Sequence, residues 1–226
     1  MTRDELETIV RSIIPEEMYK KPGAVLYSGI NTIKPFPFYL MGFNPGGSPS
    51  MSDNSKSIID SLAPPDGSSA YTDECWPHNR YQRGVIQLAR ALGIPPAELP
   101  SSNAIFARSS CVKVLKVETG FDAATWWKYC WPVHQHLLAI VRPKIIITVG
   151  YNTSKDGSAF RLLADNAGEG GGPLGDAKCT SAWTFRGQLS LTSNDAIKVQ
   201  VIGIKHLSYE LPTEALLEEL KTLAKV

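Results

Sequence analysis

The sequence predicts an α/β fold: a three-layer α/β/α sandwich around a mostly parallel sheet, in one domain spanning residues 1–226. Three observations carry that prediction. Lys144-Ile145-Ile146-Ile147-Thr148-Val149-Gly150 is a run of continuous β-branched residues, which suits a parallel strand covered on both faces. Segments of this kind alternate with stretches whose apolar residues recur at helical spacing. The third observation is Phe38-Tyr39-Leu40-Met41-Gly42-Phe43-Asn44-Pro45-Gly46-Gly47, an apolar run ending abruptly in a glycine-, asparagine- and proline-rich turn. Open α/β folds present their polar groups at the carboxyl ends of strands in this way.

The elements follow in order. Thr2 with Glu5 forms a capping box, and Leu6, Ile9, Val10 and Ile13 form an apolar stripe, so a helix is expected over 3–13, ended by Pro15. From there to Pro37 the chain reads as loop with short extended pieces. The stretch 48–75 is a long polar loop in which only 57–62 has the makings of a short helix. So long a loop beside a strand end points to a binding role. Residues 79–92 carry Val85, Ile86, Leu88, Ala89 and Leu92 at helical spacing, closed by Gly93. Asn103 opens a short apolar strand over 104–107. Pro132 starts a helix bearing Val133, Leu137, Leu138, Ile140 and Val141. A helix is expected to begin at Ser158, strands over 184–191 and 197–204, and a last helix after Pro212.

Composition narrows the class. The chain is 43% hydrophobic and 20% charged, which is the balance of a globular domain large enough to bury a core. No apolar run reaches the length of a membrane span, and the acidic amino terminus lacks an apolar signal core, so a cytoplasmic protein is expected. Cys75, Cys111, Cys130 and Cys179 have no C-x-x-C spacing and read as isolated buried thiols. His78, His134 and His136 look like surface or helix positions and form no metal set. Neither a metal nor another cofactor is expected. The net charge is +1, but from Trp76 to Lys128 seven Lys or Arg stand against three acids. That local excess suits phosphate contacts as well as it suits an ordinary solvated face.

Two turns at strand ends then come together: Gly42-Phe43-Asn44-Pro45-Gly46 and His206-Leu207-Ser208. With Asn103-Ala104-Ile105-Phe106, and with Cys130-Trp131-Pro132 leading through Val141-Arg142-Pro143 into the 144–150 strand, they resemble the uracil-DNA glycosylase superfamily. The first turn is similar to its Gly-x-Asn-Pro-Gly motif in the mismatch-specific and single-strand-selective branches, and the second to its His-Pro-Ser motif. The resemblance covers about residues 35 to 210. This chain departs from the pattern in having Leu207 for the proline, in the long 48–75 segment, and in cysteines that do not match the iron–sulfur branches.

The resemblance implies a monofunctional hydrolase that cleaves the N-glycosidic bond of uracil or a related damaged base during base excision repair of DNA. Asn44 would orient the water and His206 would stabilise the leaving base. Asn103 would read the uracil edge through its carboxamide. Gly42, Phe43, Pro45 and Gly46 would shape the pocket, with Gly46 leaving space for 5-substituted uracils. Tyr71 or Trp76 would stack on the flipped base, with Phe43 contributing. Arg80, Arg83 and Arg108 would hold phosphates, Leu207 would wedge into the gap in the DNA, and Ser208 would hold a phosphate beside it. The partner is DNA, single- or double-stranded, and the protein is expected to be a monomer. The alternative is a catalytically weak or inactive relative that binds nucleic acid or a modified base. A Ser- or Cys-based triad has no motif to support it.

Overall fold

The structure, a computed structural model, describes residues 1–226 except 48, 50–54, 73–78, 152–156, 168–171, 174–181, 193, 211 and 225–226. Among the described residues six strands form one sheet: β1 (Phe38–Gly42), β2 (Ser101–Asn103), β3 (Ile145–Val149), β4 (Gly172–Pro173), β5 (Ala182–Ser190) and β6 (Ala196–Ile204). Their order is β2-β1-β3-β6-β5-β4. The first four in that order run parallel, while β5 and β4 pair antiparallel at the far side. The carboxyl ends of β1, β2, β3 and β6 therefore all open toward one edge of the molecule.

Alternation along the strands builds two cores. Tyr39, Met41, Ile146, Val199 and Val201 face one layer, formed by α1 (Arg3–Ile13), α5 (Ala123–Val141) and α6 (Ala159–Ala167). Leu40, Ile145, Ile147, Ile202 and Ile204 face the other, formed by α3 (Arg80–Ala91) and α7 (Glu214–Ala224). The chain is thus the three-layer α/β/α sandwich expected. Two short helices, α2 (Glu16–Tyr19) and α4 (Leu115–Thr119), fill connections. Among the described residues no helix is long and apolar enough to cross a membrane.

Several helix ends follow local rules. Thr2 and Glu5 make the reciprocal capping bonds at α1, and Asn79 with Gln82 does the same at α3. Other expectations need correction. The helix expected to begin at Pro132 begins at Ala123, where Asp122 accepts from the Thr125 N–H at 2.8 Å, and Pro132 sits inside it. Nineteen residues of tertiary packing outweigh the one backbone bond that the proline removes. Residues 57–62 form turns rather than a helix. The strand at Asn103 lies before it, over Ser101 and Ser102, so that Asn103 ends the strand instead of opening it. Buried serines facing Leu40 and Met41 in register hide that strand from an apolar pattern.

Among the cysteines and histidines, Cys111 differs from its reading as a buried thiol. Cys130 is buried, and burial pushes its thiol up to about 12, whereas Cys111 is exposed; Cys75 and Cys179 lie outside the described residues. His134 is a helix position, on α5, and is fully buried, its ring against Phe106 and its Nε2 3.1 Å from the Ala104 carbonyl oxygen. Burial lowers its pKa from 6.5 to about 4, against the opposing pull of the backbone carbonyls of Ala104 and Asn103. His136 is exposed, and His78 lies outside the described residues.

The unfolded chain binds a proton at His134 that the folded protein resists, so stability is retained above pH 6.5 and withdrawn as pH falls toward 4. The shift corresponds to about 3 kcal/mol over that window. Urea unfolding followed by tryptophan fluorescence should show this loss, and His134→Gln, which keeps a donor for the Ala104 carbonyl, should flatten the slope.

Candidate active site

The turn after β1 and the segment after β2 run side by side. The Ala104 N–H donates to the Gly42 carbonyl, the Ile105 N–H to the Phe43 carbonyl, and the Ser109 N–H to the Pro45 carbonyl. These bonds continue the strand ladder beyond the sheet, so Asn44 and Asn103 are held by backbone rather than by side-chain choice. Gly42 stands opposite Asn103 in the register. A Cβ on Gly42 would lie 2.2 Å from the Asn103 Oδ1, so only glycine lets that carboxamide lie across the end of β1.

Asn44 is half-buried. Its Nδ2 donates to the carbonyls of Pro45 (2.9 Å) and Ser109 (3.2 Å), which fixes the side chain and turns its oxygen away from those bonds. Among the described residues none donates to its Oδ1, an acceptor of the kind that orients a water. Pro45 is buried under this turn, and Gly46 is exposed with open space where a side chain would project.

His206 follows β6. Its Nδ1 accepts from the Ser208 N–H at 3.3 Å, which puts the ring proton on Nε2 as a donor. Partial desolvation lowers its pKa below 6.5, so the ring is neutral at pH 7. Because β3 alone separates β1 from β6, the two strand ends are about 10 Å apart at ordinary strand spacing.

A line of rings crosses that interval. Tyr27 and Tyr71 are 5.7 Å apart between centroids, Tyr71 and Tyr81 6.1 Å, Tyr81 and His206 5.3 Å, and His206 and Tyr209 5.5 Å. The Tyr81 hydroxyl reaches in to within 3.4 Å of where a Gly42 Cβ would stand. Burial raises the pKa of Tyr27, with the Arg108 guanidinium and the Asn103 carboxamide beside it pulling the other way. Tyr71 and Tyr81 are likewise raised, chiefly by burial, so all three phenols are protonated at neutral pH. Tyr27 and Tyr81 were not legible as site residues. A loop and a helix bring them to the strand ends, and only the Asn79–Gln82 cap places Tyr81 near a helix start.

Other expected roles are redrawn. Tyr71 is only 2% exposed and flanked by Tyr27 and Tyr81, so it backs the wall instead of presenting a free face to a base. Phe43 packs against the α1–α5 core. Trp76 lies outside the described residues. Arg80 and Arg83 are exposed on the first turn of α3. Arg108 is not a free surface cation: its guanidinium donates to the Gly46 carbonyl and lies beside Tyr27.

Leu207 is the plainest correction. It is 1% exposed, seated on α3 where a Cβ at Gly84 would meet its Cβ at 3.0 Å. A leucine sunk in the core is not positioned as a wedge. The turn instead shows solvent Tyr209, which is 80% exposed, with Ser208 beside it. The Tyr209 and Glu210 N–H groups both donate to the His206 carbonyl, and Lys205 braces Glu210 at 2.6 Å.

Among the described residues no group of three or more His, Cys, Asp or Glu is placed to hold a metal ion. The fold and these strand-end turns define an α/β protein with a polar, tyrosine-walled site at the carboxyl edge of its sheet. No family model matches the chain, and no curated protein matches its sequence.

Gly42→Ala should displace the Asn103 carboxamide and destabilise the protein by about 1–3 kcal/mol, read by urea unfolding. Leu207→Ala should cost about 2–5 kcal/mol as a core truncation. Tyr209→Ala should stay within about 0.5 kcal/mol of the parent, and equal losses for the two would contradict the packing described for this turn.

Proposed function

We propose that the protein is a monofunctional DNA glycosylase of the uracil-DNA glycosylase type, acting as a cytoplasmic monomer on uracil or a related damaged base. The observation that carries this reading is the Asn103 carboxamide laid over Gly42, beside an Asn44 whose oxygen accepts from no described residue. His206, a neutral Nε2–H donor, stands at the end of the next strand but one.

The chemistry follows from those groups. The target nucleotide leaves the base stack so that its C1′ becomes accessible. Asn103 donates to one carbonyl of the base and accepts from the adjacent ring N–H. As the bond from C1′ to the base nitrogen breaks, its electron pair goes to the base, and the His206 Nε2–H donates to the carbonyl oxygen where charge accumulates. Water held by the Asn44 oxygen adds to the oxocarbenium-like carbon and then releases its proton to solvent. Asparagine is no general base, and so electrophilic a carbon needs orientation more than activation.

Tyr27 and Tyr81 flank the interval and take over the stacking role expected of Tyr71. Arg80 and Arg83, with Ser208, supply phosphate contacts, and exposed Tyr209 replaces Leu207 as the side chain that enters the DNA. A second reading, a protein that binds a modified base without cutting, is favoured by one observation: the Tyr81 hydroxyl already stands over Gly42, in the space a base needs.

Oligonucleotides carrying uracil, hypoxanthine, xanthine or a thymine mismatch separate the two. A glycosylase releases free base and leaves alkali-labile sites, whereas a binder retards the same strands with no such product. Asn44→Ala and His206→Ala should each lower the single-turnover rate by about 100-fold or more. Full activity in both, with circular dichroism unchanged, would overturn the assigned roles. Protonating His206 puts a hydrogen on Nδ1 facing the Ser208 N–H, so the rate should fall on the acid side with an apparent pKa below 6.5.

A further inference from the structure

At the opposite end of the sheet lies a cavity of about 460 Å³, within the range of small-molecule sites. It arises because β5 and β6 extend past the helices of the α3–α7 layer. Phe185, Leu189, Val199 and Val201 turn to the other core, which leaves the alternate residues of both strands on a bare face. Arg186 stands opposite Gln200 and Gln188 opposite Lys198, a two-by-two block with its two cations on the diagonal, about 7 Å apart. Lys144, entering β3, adds a third cation, and Phe38 and Ile145 form an apolar floor closed at one end by Leu223 of α7.

The charge arrangement is what sets this groove apart. Among the described residues no acidic side chain lines it, and none of its three cations forms an ion pair with a described residue. Some cations elsewhere are paired, Arg142 with Asp195, Arg161 with Asp165 and Lys205 with Glu210, whereas here three without a described partner share one face. Like charges gathered on one concave face repel unless an anion joins them. The Gln200 Nε2 donates to the Thr184 hydroxyl, which leaves its oxygen to accept.

We propose that this groove is a ligand site for a nucleotide, separate from the strand-end site. Three cations match a multiply charged phosphate chain better than a single carboxylate. The apolar floor suits a flat heterocycle, and the two glutamine amides offer donors and acceptors to its edge.

The test is calorimetry and thermal melting of the full chain with ATP, adenosine and inorganic tripolyphosphate. ATP should bind one to one, raise the melting temperature, and bind at least tenfold tighter than either fragment. The double variant Arg186→Gln, Lys198→Gln changes exposed side chains only. It should melt like the parent without ligand and lose at least tenfold in ATP affinity. His206→Ala should bind ATP as the parent does, which keeps this outcome distinct from any failure of the proposed glycosylase. No binding at millimolar ATP, unaltered binding in the double variant, or loss in His206→Ala would overturn the site. Tripolyphosphate matching ATP would overturn it too, because the floor would then contribute nothing.

Discussion

The Asn103 carboxamide rests on a bare α-carbon, and the site is arranged around that contact. Any side chain at Gly42 would stand 2.2 Å from the amide oxygen, so the last residue of β1 sets where the last residue of β2 points. The neighbouring backbone bonds, Ala104 to Gly42 and Ile105 to Phe43, lock the same register from behind. Support also crosses the sheet, since buried His134 on α5 holds the Ala104 carbonyl from the other layer. A polar group fixed by ladder geometry loses little freedom when it binds, and pre-organised sites gain affinity in this way.

The wall that runs from Tyr27 to His206 is uncharged. Burial keeps the phenols protonated, partial desolvation favours neutral His206, and the Arg108 guanidinium is tied to a backbone carbonyl and lies beside a tyrosine. Little ionic charge competes with a ligand there, and electrostatic effects reach further among partly desolvated groups than in water. The exposed cations of α3, Arg80 and Arg83, stand outside the wall.

How much of this was legible depended on whether the signal was local. The 38–47 turn, the 145–149 strand and the capped helix at 80–91 were readable because periodicity and end chemistry coincide there. The strand at Asn103 was placed after that residue instead of before it, because Ser101 and Ser102 are buried without being apolar. Pro132 read as a helix start because its local preference is for a first turn, and only packing carries α5 through it. The inward turn of Leu207 had one faint sign, Gly84 in the middle of an amphipathic helix, which marks a close approach. The tyrosine wall had none, since Tyr27, Tyr71 and Tyr81 meet only once the layers assemble.

Cys130 lies on the same helix as His134, four residues earlier, and its thiol sits by the backbone of Phe106 in the segment that follows Asn103. Sealed there and reluctant to ionise, this sulfur is closed to alkylating reagents for as long as the helix and that segment stay together. The chain therefore carries a native reporter in the corner that steadies the Asn103 amide. The speed at which a reagent finds Cys130, compared with exposed Cys111, measures how often that corner breathes.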